Sequence, residues 1–75
     1  MTWDEEIDAT GLLCPLPVLK ARKRLSQMQA GQVLRLLASD PMAVVDVPHF
    51  CNEAGYEFQG MAELVGTRAY LIRRG

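Results

Sequence analysis

The 75-residue chain has few of the residues that build metal, redox and hydrolytic sites, with only two cysteines and one histidine. Two cysteines are too few for a disulfide-stapled secreted domain, although counting alone leaves one Cys14–Cys51 bridge open. A structural zinc site takes about four ligands, and Cys14, His49 and Cys51 do not reach that number. The sequence therefore predicts no metal site, and His49 as the single imidazole gives a Cys-His hydrolase little support.

Long apolar segments are missing as well. No run approaches the roughly 20 residues that span a bilayer, and the stretch 1–6 is acidic where a secretory signal would begin basic. Hydrophobic residues make up 49% of the chain and charged residues 23%, which is typical of globular proteins. We therefore expect a single domain over residues 1–75 that is cytoplasmic and does not insert into membranes.

The net charge of −1 conceals a strong segregation of charge along the chain. Residues 1–8 and 40–63 contain acids without lysine or arginine, whereas residues 9–39 and 64–75 contain bases without acids. A balanced net charge and the lack of an aromatic platform beside the basic segment argue against direct nucleic-acid binding as the main role. The segregation favours electrostatic docking with protein partners, and an ordinary solvated helix surface remains the alternative.

The first half of the chain predicts a strand, a helix and a second strand. Residues 2–9 fit a short strand, and Pro15 suits the first turn of a helix that Gly31 would end in a left-handed turn. Residues 32–38 alternate in the manner of a strand. The buried face of the helix is expected to hold the apolar residues that recur at helical spacing, namely Val18, Ala21, Leu25 and Met28.

The second half predicts another helix and a closing hairpin. Proline at position 48 makes us expect a short turn over 42–45 and a main helix that begins at Asp46 and stops at Gly55. Residues 56–64 and 68–74 would pair around a turn at 65–67. The resulting order is βαβαββ, and it predicts a two-layer α/β sandwich with a mixed four-stranded sheet and both helices on one face.

Cys14 stands out because it lies between Gly11 and two prolines, Pro15 and Pro17, directly before the first predicted helix. Proline fixes the backbone and removes an N–H donor, so the thiol should be held at a rigid and exposed corner. A helix N-terminus carries partial positive charge, and Lys20 and Arg22 follow within two turns. On these grounds we expect a lowered thiol pKa.

The pattern excludes local disulfide cycling, because Pro17 occupies the position of a resolving cysteine. An exposed thiol without a base of its own suits a carrier, which accepts a sulfane sulfur as a persulfide and passes it on. Cys51 falls on the apolar stripe of the second helix and is expected to be a small core residue.

The segment 8–17, DATGLLCPLP, resembles the Cys-Pro-x-Pro signature of the TusA-like (SirA-like) sulfur carriers. The resemblance continues through SDP at 39–41, DVPHFC at 46–51 and YLIRRG at 70–75, and so covers nearly the whole chain. It implies a βαβαββ sandwich and a persulfide on Cys14, without a cofactor.

The same resemblance implies a cysteine desulfurase or rhodanese-like protein as sulfur donor and a second protein as acceptor, for tRNA 2-thiouridine synthesis or other sulfur metabolism. Gly11, Pro15 and Pro17 would shape the loop that holds the thiol. Lys20, Arg22 and, at the rim, Asp40 are the residues we expect to contact a partner. The alternative is a regulatory or protein-interaction module that keeps this fold while its thiol stays idle.

Overall fold

A computed structural model of the chain describes residues 3–75 and shows four strands and two helices. The elements are β1 Glu5–Asp8, α1 Leu16–Gln27, β2 Val33–Ala38, α2 Ala43–Ala54, β3 Glu57–Leu64 and β4 Thr67–Arg73. The predicted βαβαββ order is therefore confirmed. Thr2, which the sequence placed in the first strand, lies outside the described residues.

The strands form one mixed sheet in the order β1-β2-β4-β3. β1 pairs with β2 in parallel, with α1 as the crossover between them, and β4 pairs antiparallel with both β2 and β3. A parallel pair needs such a crossover because its two strands run in the same direction. The sheet thereby brings the end of β1 next to the end of β2, and both chain segments that leave these ends run on into the helices.

The core lies between the sheet and the two helices. Alternate residues of β2 and β4, among them Leu34, Leu36, Tyr70 and Ile72, are fully buried, as strand periodicity requires. Helices α1 and α2 meet them within one hydrophobic cluster, so both helices cover the same face. The helical members of this cluster are Ala21, Leu25, Ala43, Val47 and Cys51.

Helix α1 ends earlier than the sequence predicts. Its last residue is Gln27, and Met28 follows with an extended backbone and a buried side chain. Gly31 does have a positive φ of 89°, but it uses that conformation in the turn before β2 and not as a helix cap. The prediction of an apolar face that includes Met28 is still correct, because the Met28 side chain is buried although it follows the last helical residue.

Helix α2 begins earlier than predicted and contains Pro48 in its interior. It starts at Ala43 and runs without interruption to Ala54, so the expected break at residues 42–45 is wrong. Proline removes one donor and disfavours a straight helix, but burial of Ala43, Val47 and Cys51 on one face favours a continuous helix. Gly55 ends it in the left-handed conformation, as predicted.

The closing hairpin is tighter than the sequence predicts. β3 and β4 are joined through Val65 and Gly66, and Gly66 has a φ of 75°. Thr67 already pairs with Leu64 across the ladder and does not belong to the turn. Glycine adopts this positive φ at little cost, which suits Gly66 to the turn.

Candidate functional site

Cys14 lies in the loop between β1 and α1, one residue before the helix cap. Pro15 is the N-cap, the Cys14–Pro15 peptide bond is cis, and Leu16 is the first helical residue. The sequence suggested that Pro15 lies in the first turn of the helix, but it precedes that turn. Pro17 lies in that turn and is buried, so of the two prolines it is the one that contributes to packing. The cysteine is exposed.

The loop that carries Cys14 is held by the segment that connects β2 to α2. The backbone N–H of Gly11 donates to Oγ of Ser39 at 2.8 Å, and the N–H of Cys14 donates to Oδ2 of Asp40 at 2.5 Å. The other oxygen of Asp40 accepts the N–H of Met42 at 3.1 Å. Gly11 has a φ of 82°, a conformation that glycine adopts at little cost. Two loops far apart in sequence are thus joined at the backbone of Gly11 and Cys14.

A second carboxylate contacts the thiol itself. Asp46 is the fourth residue of α2, and its Oδ2 accepts a hydrogen bond from Sγ of Cys14 at 2.7 Å. The sequence pattern assigned Asp46 to the helix cap, and nothing local in the sequence signals this contact between residues 32 positions apart. It arises because α2 begins one turn earlier than expected, which places Asp46 inside the helix and opposite the loop.

These contacts reverse the expected acidity of the thiol. The hydrogen bond to Asp46 raises the pKa of Cys14 above its ordinary value, with smaller contributions from desolvation and from the negative charges of Asp46 and Asp40. A hydrogen bond from S–H to a carboxylate favours the protonated form, and a nearby anion disfavours the thiolate. The prediction of a lowered pKa is therefore wrong, because it considered the helix N-terminus without the two carboxylates.

The charges that contact Cys14 are acidic and not basic. The recess beside the thiol is lined by Pro15, Pro17, Val18, Asp40, Ala43 and Asp46. Lys20 instead lines a separate groove of about 380 Å³ with Ile7, Lys23, Arg24 and Gln27. Arg22 is exposed on α1, while Arg24 pairs with Glu5 at 3.0 Å. The roles of Lys20, Arg22 and Asp40 toward a partner stay predictions.

Large apolar side chains near Cys14 in the chain and at the start of α2 are exposed to solvent. Leu13 is 70% exposed and Val45 is 62% exposed, although both residue types usually favour burial. Others in the same two segments are Leu16, Leu19, Met42 and Val44. We call these six residues the apolar rim. Large apolar side chains that stay exposed are candidates for contact with a partner.

Cys51 and His49 lie outside this site. Cys51 is 1% exposed in the core and is a free thiol, as is Cys14, so the bridge that counting left open is not formed. Burial raises the pKa of the Cys51 thiol to about 11. His49 is exposed, and its Nε2 lies 3.7 Å from Oε1 of Glu53. The core assignment of Cys51 is confirmed.

Two further observations concern metal binding and membrane helices in residues 3–75. No group of three or more histidine, cysteine, aspartate or glutamate residues in this part of the chain is arranged to hold a metal ion. None of its helices is both long enough and apolar enough to cross a membrane.

Fold and site together define a small α/β sandwich that presents one exposed cysteine at the start of its first helix, beside the start of the second. The chain belongs to the sulfurtransferase TusA family, whose sequence model matches residues 5–74.

Relatives named as sulfur carrier proteins align with almost the whole chain. A sulfur carrier protein TusA from Allochromatium vinosum is 43% identical over 72 residues, which are 96% of this chain and 95% of that protein. Another TusA, from Pseudomonas entomophila, is 44% identical over 71 residues, 95% of this chain and 89% of its own. The crystal structure of a SirA-like protein from Desulfitobacterium hafniense superposes with a TM-score of 0.85 at 28% identity, covering 96% of this chain and 99% of that one. These findings confirm the family resemblance and the fold.

Proposed function

We propose that this chain is a single-domain sulfur carrier that holds sulfane sulfur as a persulfide on Cys14. The observation that carries the proposal is the exposed, free Cys14 thiol at the junction of the two helices, in a chain of the TusA family. Relatives that share more than two fifths of their residues with it are named sulfur carrier proteins. No cofactor is part of the proposal, because the sulfur itself is the cargo.

Loading is an exchange between two sulfur atoms. Cys14 loses its proton, and its thiolate attacks the terminal sulfur of a persulfide on the donor protein. The new S–S bond forms at Sγ of Cys14, the donor's S–S bond breaks, and its electron pair stays on the donor cysteine, which takes up a proton. Unloading repeats these steps with the acceptor's thiolate as the nucleophile. No external oxidant or reductant is needed, since one sulfane sulfur moves between two thiols.

A donor and an acceptor must both reach Sγ of Cys14, so both must cover the surface around it. The apolar rim supplies the area that such contacts bury, and interface cores are richer in apolar and aromatic side chains than their polar edges. Arg22 and Lys20 are exposed on α1 and are the bases that we expect to meet acidic residues of a partner. Asp40 is committed to two backbone N–H groups, so in this proposal its first task is to hold the loop.

The donor that we propose is a cysteine desulfurase or a rhodanese-like protein, which both generate protein-bound persulfides. The acceptor is a second sulfur-handling protein, in a route such as tRNA 2-thiouridine synthesis or sulfur metabolism. This part of the proposal depends on family membership and on the thiol, because the surface of the chain does not by itself distinguish one partner from another.

The test is mass spectrometry of the intact protein after incubation with a cysteine desulfurase, its cofactor and cysteine. We expect a gain of one sulfur atom, removed by a reducing agent and located on the peptide that contains Cys14. The Cys51→Ala variant is the matched control, since it keeps Cys14 and should load equally. A folded protein that gains no sulfur from desulfurase or rhodanese-like donors would favour the alternative, a regulatory or interaction module with an idle thiol.

A further inference from the structure

Asp46 is the one described side chain that makes a hydrogen bond with the reactive sulfur. It is half-buried in the first turn of α2, and its carboxylate reaches across to the loop before α1. Asp40, from the β2–α2 connection, adds a second carboxylate at the backbone of Cys14. The remaining residues that line the recess are uncharged. The charged groups that contact the unloaded thiol are therefore both negative, and none of these contacts supplies a compensating cation.

This setting stabilises the unloaded form of Cys14. Its S–H group donates to Asp46 at 2.7 Å, and hydrogen bonds to charged acceptors are stronger than those between neutral groups. The raised pKa of the thiol has this hydrogen bond as its largest cause. Any reaction that removes the proton from Sγ must give up the hydrogen bond.

The loaded form is affected in the opposite direction. Once a second sulfur is attached, Sγ has no proton to donate, and the terminal sulfur is the acidic group. Hydropersulfides are stronger acids than thiols, so at neutral pH the loaded side chain is largely an anion. That anion is attached to a sulfur that lies beside the carboxylate of Asp46, and like charges at this distance repel.

We propose that Asp46 makes Cys14 a weak holder of sulfur, by accepting the S–H hydrogen bond of the unloaded thiol and repelling the anionic persulfide. Both effects shift the exchange equilibrium toward release, so a sulfur that reaches Cys14 passes readily to an acceptor. The inference rests on the proposed function and adds to it a direction of transfer.

The equilibrium can be measured with a small donor, without any partner protein. Glutathione persulfide and the Cys14 thiol exchange to give glutathione and the Cys14 persulfide, with one S–S bond formed and one broken. The protein is equilibrated at neutral pH with fixed ratios of glutathione persulfide to glutathione. Intact-protein mass spectrometry then gives the ratio of loaded to unloaded chain, approached from both directions.

The variant is Asp46→Asn, which keeps the size of the side chain and removes its charge. We expect the exchange constant to shift at least about threefold toward the loaded protein, since a charged hydrogen-bond acceptor is lost. Alkylation of Cys14 by iodoacetamide at neutral pH should become faster, because the thiolate fraction rises. Glu53→Gln is the matched control: it removes one negative charge from the exposed surface of the same helix and should leave both measurements unchanged.

The possible results distinguish the role of Asp46 from the carrier function itself. If Asp46→Asn and the unmodified chain load sulfur with the same exchange constant, the inference is overturned and the sulfur-carrier function stands. If neither protein gains sulfur from glutathione persulfide or from a desulfurase, the carrier function fails and the inference with it. The unmodified chain gives an independent check, since an iodoacetamide pH profile with an apparent pKa of Cys14 at or below that of a free thiol would also overturn it.

Discussion

The two cysteines offer a comparison between the loop junction and the core. Both thiols are free, and both have a raised pKa, but the causes differ. At Cys14 a carboxylate holds the proton on an exposed sulfur, whereas at Cys51 burial excludes the water that would stabilise a thiolate.

This difference separates two functions of the same side chain. In the proposed function, the Cys14 thiol reacts once its surface hydrogen bond is exchanged for contacts with a partner. A thiol that is protonated through burial reacts only when the core opens. Substitutions and a change of pH can test whether the two thiols differ in this way.

Replacing Cys14 by serine should abolish sulfur loading and leave the fold almost unchanged. The hydroxyl can donate to Asp46 as the thiol does, and substitutions at exposed positions usually change stability by under about 0.5 kcal/mol. Persulfide content measured by mass spectrometry, together with urea unfolding, checks both parts. Sulfur still bound by Cys14→Ser would show that the carrier residue has been misassigned.

Alkaline pH should destabilise the protein through Cys51. The pKa of the Cys51 thiol rises from 9.0, the value of an ordinary thiol, to about 11 in the folded chain, so the unfolded state releases its proton first. The stability that the buried thiol contributes is complete below pH 9 and is lost as pH rises through 11, by about 2–3 kcal/mol in all.

Urea unfolding measured at several pH values across this range tests the prediction. Tyr70, whose pKa is raised mainly by burial, acts in the same direction, so the comparison needs a variant. Cys51→Ala should lower stability throughout but show a flatter decline between pH 9 and 11. Parallel curves for the two proteins would contradict the assignment to Cys51.

Replacing Cys51 by serine should cost about 1–3 kcal/mol at neutral pH and leave Cys14 able to load sulfur. The substitution places a hydroxyl among apolar neighbours of the core, where an unpaired polar group is unfavourable. Thermal or urea unfolding gives the loss, and mass spectrometry of the folded fraction gives the loading. Loss of loading without loss of stability would mean that Cys51 takes part in the chemistry.

Reversing the charge of Arg22 should have the smallest effect. Arg22→Glu is expected to slow sulfur transfer from a desulfurase by a few-fold and to weaken its salt dependence, because charges at the edge of an interface act mainly on association rate. Alkylation of Cys14 by iodoacetamide should hardly change. The control is Lys23→Glu, which makes the same change of charge one residue further along α1.

Equal large losses in transfer and alkylation for Arg22→Glu would show that Arg22 acts on the thiol and not on docking. If Arg22→Glu and Lys23→Glu both leave transfer unchanged, the basic surface of α1 is only a solvated one.

Local patterns predicted most of the fold. The order of the elements, the apolar stripe of α1, the burial of Cys51 and the end of α2 at Gly55 all follow from periodicity and from glycine in the left-handed conformation. These features depend on neighbours within one or two turns, so the sequence contains what decides them. The prediction that α2 begins at Asp46 failed because burial of Ala43 outweighed the local preference of Pro48.

The sequence alone also determined which residue is the candidate carrier, since Cys14 stands between Gly11 and two prolines in a family pattern that runs to the end of the chain. The chemistry of its thiol depends on contacts that form only when the chain is folded. Asp40 and Asp46 are 26 and 32 residues away, and they reach Cys14 because β1 and β2 end side by side. Hydrogen bonds and charges act through space over a few ångströms, so the pKa of a thiol depends on neighbours that no local pattern specifies.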